Sequence, residues 1–358
     1  MTSVMRHNEV VGLKKTLQLI LVIALFGGGW WGLTHIPRTP VLRLCTWSNY
    51  FPDDLLKAFT DETGVPVEMS YISSNEELFS KLKAGASGYD IIQPSDYMVG
   101  QMIHLGMLTK LVPTDLPHFK HLDPYYKDLP YDPGLSYTIP FVRGITGIIV
   151  NTEKVKLASE NVGWDLLFQS PDPKHTSLLD DMREVFTGVL YWKGRDPNNP
   201  TPTDLVEARQ EITRIKERIA LFTSEPFPMM ARGEVNIAHA FSTHGLQAHQ
   251  ENPLMKFYIP KEGGVIWTDN FAIPITSQKV KEAHAFIDFF LRPEIALKVI
   301  EFNGMASPNL TARKKLPFEE QRSPVTYPSP EVLMRLKFFG DLGPIRTLMA
   351  RLWTEAKS

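Results

Sequence analysis

From Val41 onward the chain alternates short runs of branched apolar residues with amphipathic stretches of helical period, and this confines it to an α/β fold. Val41 to Trp47 is predicted to be a strand. Pro52-Asp53-Asp54 then opens a helix with Leu55, Leu56 and Phe59 on one side, stopping at Gly64. Val65 to Ile72 is a second strand, Ser74 or Asn75 caps a second helix ended by Gly85, and Tyr89 to Ile92 is a third strand. This order predicts a parallel sheet with right-handed crossovers. After a Pro-rich stretch over 111–133 the pattern restarts, with strands at Tyr137 to Asn151 and Ser177 to Asp180 and a helix over Met182 to Trp192. A helix over Asp204 to Ile219 and strands at Val235 to Phe241, Phe257 to Pro260 and Val265 to Asp269 follow. The pattern closes with helices over Lys279 to Leu291 and Pro293 to Phe302, and a C-terminal helical stretch from Glu331 to Ala356. A chain of 358 residues, 43% apolar, has ample core for two such domains.

The first forty residues have a different grammar. Arg6, Lys14 and Lys15 precede an apolar run from Thr16 to Leu33, which is the order of an export signal with its basic end in the cytoplasm and the body outside. The run is near the lower limit for crossing a bilayer, and no small-x-small cleavage site stands out after Ala24. A membrane anchor and a removed signal peptide are therefore both expected alternatives. The lone Cys45 excludes an internal disulfide and any multi-cysteine metal site, and a net charge of -2 offers no general attraction to nucleic acid. No phosphate loop, zinc-protease helix or nucleophile elbow occurs, and only His239 and His244 fall near ligand spacing. Neither enzymatic activity nor a cofactor is expected.

In open parallel sheets ligands bind beyond the carboxyl ends of the strands. That rule selects Trp47 and Tyr50 after the first strand, Ser95, Asp96 and Tyr97 after the third, and Asp181 and Glu184 after the first short strand of the second half. It also selects Trp267 with Asp269, which are two apart on one strand and share a face. Aromatic faces attract organic ammonium groups and carboxylates accept their hydrogen bonds, so the mixture suits a cation with a hydrocarbon chain. Plainer roles compete with this. Asp181-x-x-Glu184 has the spacing of a capping box, Trp267 is placed as well for core packing, and Asp96 for a turn or cap.

The segments Trp47-Ser48-Asn49-Tyr50, Pro94-Ser95-Asp96-Tyr97, Asp180 to Phe186, Glu262 to Asp269 and Ser307-Pro308-Asn309 resemble the spermidine/putrescine-binding proteins of polyamine ABC transporters, in order and with similar spacing. The resemblance implies a type II periplasmic-binding fold, two α/β lobes with a ligand cleft between them. The lobes would be 41–142 plus 270–312 and 143–269 plus 313–358. It further implies that Trp47, Tyr50, Tyr97 and Trp267 sandwich a methylene chain with Ser48 and Ser95 at the polar edge, while Asp181, Glu184 and Asp269 hold amines. A polyamine, a membrane permease, a monomeric state and an extracytoplasmic location are the implied partners and setting; a protein that docks a membrane sensor, or one that binds another organic cation, is the alternative. Several positions depart from the family. Asn49 stands in place of an acid, Phe241 in place of a tryptophan, and Met305 and Phe339 in place of polar or aromatic contacts. Arg143 stands near the hinge where tryptophan is usual. Fewer acids and an added arginine are expected to disfavour a triply charged ligand.

Overall fold

The computed structural model describes residues 41–48, 50–85 and 88–358, so the apolar run 16–33 and Asn49 lie outside the described residues. The first wing of the fold holds β1 (Leu42–Thr46), α1 (Asp53–Thr63), β2 (Val67–Tyr71), α2 (Asn75–Lys83), β3 (Ile91–Ile92) and α3 (Asp96–His104). Strand β1 runs parallel between β2 and β3, because each helix returns the chain across the sheet before the next strand starts. Leu55, Leu56 and Phe59 are the buried face of α1, as their spacing requires.

Three short 3₁₀ turns over 113–128, rather than a crossover helix, lead into β4 (Thr138–Asn151), all of whose residues are buried. Asp132 organises that entry. Buried to 2% exposure, it accepts bonds from the amides of Ser136, Tyr137 and Thr138 and from the Thr138 hydroxyl, while Leu135 within the turn holds φ at 51°. Removing the acceptor strands buried donors, so Asp132→Ala is expected to cost about 3 kcal/mol. A lowered urea midpoint at unchanged slope would record the loss; an unchanged midpoint would deny Asp132 this role.

The second wing contains β5 (Thr176–Leu178), α4 (Met182–Trp192), α5 (Pro202–Lys216), β6 (Leu221–Phe222), β7 (Ile237–Phe241), α6 (Ser242–Glu251) and β8 (Met255–Tyr258). Here β5 is parallel to β6 and β7. The chain then returns through β9 (Gly264–Ala272) to α7 (Val280–Phe290) and α8 (Pro293–Asn303).

A wholly parallel sheet does not form. Strand β9 is antiparallel to β3 and β4, and β4 is antiparallel to β7 and β8, giving the order β2-β1-β3-β9-β4-β7-β5-β6. Periodicity identifies strands but not their direction, and β4 passes from one wing to the other without a turn. The β4/β9 ladder runs from Thr138↔Ala272 to Ile145↔Ile266, with an irregularity between Pro140 and Val142 where proline has no amide hydrogen to give. Each wing packs its own core, around Phe59, Phe271 and Phe286 in one and Trp164, Phe168 and Phe186 in the other.

The predicted helix over Glu331 to Ala356 is also corrected. Only α9 (Ile345–Lys357) is a long helix there; β10 (Leu336–Lys337) lies parallel on the start of β9, and Gly340, Gly343 and Pro344 break the intervening chain. Gly343 takes φ 54°, a conformation that side-chain-bearing residues disfavour. Among the described residues no helix is long and apolar enough to cross a membrane.

Candidate functional site

The two long strands β4 and β9 carry the centre of the site, and the ends of β1, β3, β5 and β7 converge on it. Asp269 sits on β9 at 3% exposure. Its carboxylate accepts a bond from the Tyr50 hydroxyl, which follows β1, and another at 2.5 Å from the Ser95 hydroxyl, which follows β3. Ser95 is itself clamped by Asn75 of α2, whose side chain donates to the serine oxygen at 2.9 Å and accepts from the serine amide at 2.9 Å. Trp47 is tied to the same loop by an indole bond to the Gln93 carbonyl at 3.0 Å. Ser48 is exposed at the end of β1.

Trp267 lies two residues before Asp269 on the same face, half-buried, with Phe241 edge-on to it at 5.8 Å. Its ring occupies the space over Gly144 on β4: a Cβ there would stand 2.0 Å from Trp267 Cζ2. The indole nitrogen has no partner among the described residues.

At the other side of the site α4 presents Asp181, Arg183 and Glu184. Asp181 caps the helix by accepting from the Glu184 amide at 3.0 Å. The reciprocal half of a capping box is absent: the Glu184 carboxylate, 3% exposed, accepts instead from the Thr146 hydroxyl of β4 at 3.0 Å, and its second oxygen has no partner among the described residues. Arg183, which the strand-end rule did not select, is buried over the Phe339 ring at 4.3 Å and the Tyr97 ring at 5.6 Å and donates to the Gly340 carbonyl. Tyr97 meets Phe339 edge-on.

Asp96 is 1% exposed and accepts from the Thr268 amide at 2.8 Å, so it anchors α3 to β9 between Trp267 and Asp269. Arg143 is opposite Thr268 in the ladder whereas Gly144 is opposite Trp267, which puts the arginine on the other face of the ribbon. There it donates to the Thr326 carbonyl at 2.6 Å and lies over Tyr327. The expected contribution of Arg143 to the charge of the site is thereby corrected. Met305 is half-buried against the first core. His239 is buried against Trp164 with its pKa pushed down to about 3 by burial, His244 faces Glu225 at 3.4 Å, and no group of residues suited to a metal ion occurs among the described residues.

The acids of the site are poorly neutralised. Burial raises the Asp269 carboxyl to about 6, although the Ser95 and Tyr50 bonds pull it down, and raises Asp96 to about 7. Glu184 is pushed well above the usual carboxylate range by burial and then by the charge of Asp181, and burial raises Asp181 as well. Arg183 is the cation whose charge acts on Asp181, Asp96 and Glu184. Three buried carboxyls, Asp96, Glu184 and Asp269, and the half-buried Asp181, with Arg183 acting on all but Asp269 and with Trp47, Tyr50, Trp267 and Phe241 as apolar walls, favour a ligand that brings positive charge and apolar surface together.

Asn75, Gln93, Thr146 and Arg183 escaped the strand-end reading. Only Asn75 carried a local signal, as a candidate cap, and its actual contact is with Ser95.

Residues 54–322 match the family described as bacterial extracellular solute-binding protein. The spermidine/putrescine-binding periplasmic protein 1 of Haemophilus influenzae is 35% identical over 318 residues, 88% of this chain and 88% of that protein. A putrescine-binding periplasmic protein of Pseudomonas aeruginosa is 32% identical, covering 97% of this chain and 99% of its own. The structure of the spermidine/putrescine ABC transporter substrate-binding protein from Streptococcus pneumoniae superposes with a TM-score of 0.78 at 30% identity, over 89% of this chain and 98% of that one.

Proposed function

Because this chain belongs to the family of bacterial extracellular solute-binding proteins and has their two-lobed α/β fold, we propose that it binds a polyamine in the cleft between its lobes and presents it to an ABC transporter permease in the membrane. The relatives are named as periplasmic binding proteins, and the mechanism proposed here is closure without chemistry. The lobes are 41–142 plus 270–312 and 143–269 plus 313–358, hinged on β4 and β9. The separate cores of the two wings support that division. The body works as a monomer on the outer side of the cytoplasmic membrane, to which 16–33 either directs or anchors it.

One observation carries the reading. Asp269 is buried, oriented by Tyr50 and Ser95, and adjoins an aromatic wall, while Asp181 and Glu184 supply a second acidic group from the other lobe. One ammonium at each acidic group and methylenes along Trp267 would satisfy both the charges and the apolar faces. Trp47, Ser48, Asn49, Tyr97, Asp96 and Phe241 complete the proposed binding set, with Asp96 acting through β9. Isothermal titration with putrescine, spermidine, spermine and other cationic amines tests the proposal. Failure of every amine to bind at millimolar concentration would refute it.

The raised carboxyls also set the pH response. A cation binds the ionised form, so binding below the free-state pKa must expel protons. On account of Asp269, affinity is expected to fall by about tenfold per unit as the pH drops below about 6. An affinity unchanged down to pH 5 would show that Asp269 does not contact the ligand.

A further inference from the structure

Asn198, in the loop between α4 and α5, lies outside the candidate site and brackets the segment that leads into α9. Its side-chain nitrogen donates to the Phe338 carbonyl at 2.8 Å and its oxygen accepts from the Gly340 amide at 2.8 Å. The approach is so close that a Cβ on residue 340 would stand 3.2 Å from Asn198 Cγ. Since α9 packs into the second core through Met349, Leu352 and Ala356, this segment belongs to the second wing. Its side chains nevertheless reach the first. Phe338 is edge-on to Tyr131 at 6.0 Å, and Tyr131 lies beside Gly100 of α3. Phe339 is edge-on to Tyr97 of α3 at 5.9 Å, with the Arg183 guanidinium 5.6 Å from the same tyrosine ring. Arg346, in the first turn of α9, donates to the Gln101 side chain at 3.2 Å. Tyr97, Gly100 and Gln101 are three and four apart on α3, so one helical face receives all of these contacts. They join protein directly to protein and need no ligand between them.

We infer that Asn198 is a positioning residue for closure: by holding residues 338–340 it aims Phe338, Phe339 and Arg346 at α3, and so sets how long the closed cleft keeps its ligand. Without its side chain the Phe338 carbonyl and the Gly340 amide lose their partner, and a segment that contains Gly340 and Gly343 gains freedom that closure must remove again. A contact made only between closed wings stabilises the closed state over the open one, so its loss falls on the rate of release. This rests on the reading of the two wings as lobes that close over an amine.

Asn198→Ala tests the arm from the second wing and Gln101→Ala its receiving face on the first. Putrescine association and release are measured by stopped flow, and the ligand-free proteins by small-angle X-ray scattering. Asn198→Ala is expected to weaken binding about tenfold and Gln101→Ala about threefold, both through faster release with association no slower than wild type. The double variant should bind no worse than Asn198→Ala alone, because both residues act through one contact between the wings. A merely structural role in the second wing would leave the two losses independent. Unchanged release in Asn198→Ala, a loss confined to association, or losses that multiply in the double variant would overturn the inference. If wild type binds no putrescine, the polyamine reading fails, and scattering decides the role of Asn198 by itself: Asn198→Ala is expected to be less compact than wild type without ligand, and identical scattering would overturn it.

Discussion

Asp269→Asn is expected to weaken amine binding by about a hundredfold or more while leaving the fold intact, because truncating one partner of a buried charge pair costs several kcal/mol. The amide keeps the shape of the carboxylate, and of the Tyr50 and Ser95 hydroxyls, which now donate to different oxygens of Asp269, one can keep donating to the amide oxygen while the other rotates to accept from the nitrogen. Stability moves the other way. The folded carboxyl titrates near 6, above its ordinary value of 3.8, so the folded state holds a proton that the unfolded chain releases. This contribution is fully present below pH 3.8 and is lost as the pH rises through about 6. The ligand-free variant avoids that loss and is expected to melt no lower than wild type at neutral pH. Calorimetric titration together with thermal unfolding checks both halves; undiminished affinity would remove Asp269 from the site.

Trp267→Ala is expected to weaken binding by roughly thirty- to a hundredfold, through loss of a cation–π face and of apolar contact with the ligand chain. The same ring can be displaced without touching it. A methyl group on residue 144 would overlap the indole, so Gly144→Ala must push Trp267 out of place or shift β4. Most of the Trp267→Ala loss should therefore appear in Gly144→Ala, and the double variant should bind no worse than Trp267→Ala alone, since both act through one ring. Additive losses in the double variant would show that Gly144 affects binding by another route.

The residues at strand ends were legible because their positions depend on local pattern. Trp47 and Tyr50 follow an apolar run, Ser95 follows another, and the two-residue spacing of Trp267 and Asp269 puts them on one face whatever the strand pairs with. The dual nature of Asp181 and Glu184 was not. Both fit a capping box by spacing, and only the position of Thr146 shows that Asp181 caps while Glu184 turns to β4. Arg143 was misjudged for a related reason: which face a strand residue occupies relative to the cleft depends on register, and the register with β9 is set by a partner more than a hundred residues away.

The sequence alone therefore determined the alternating α/β elements, the restart of the pattern after 133, and the set of aromatic and acidic residues at strand ends, since each follows from side-chain period and capping within a few neighbours. Tertiary structure decided the rest. Tyr50 and Asp269 are 219 residues apart, and the direction of β9 between β3 and β4 brings the hydroxyl to the carboxylate. Burial, which raises the carboxyls, exists only once the chain has folded around them, because desolvation is a property of all the neighbours together.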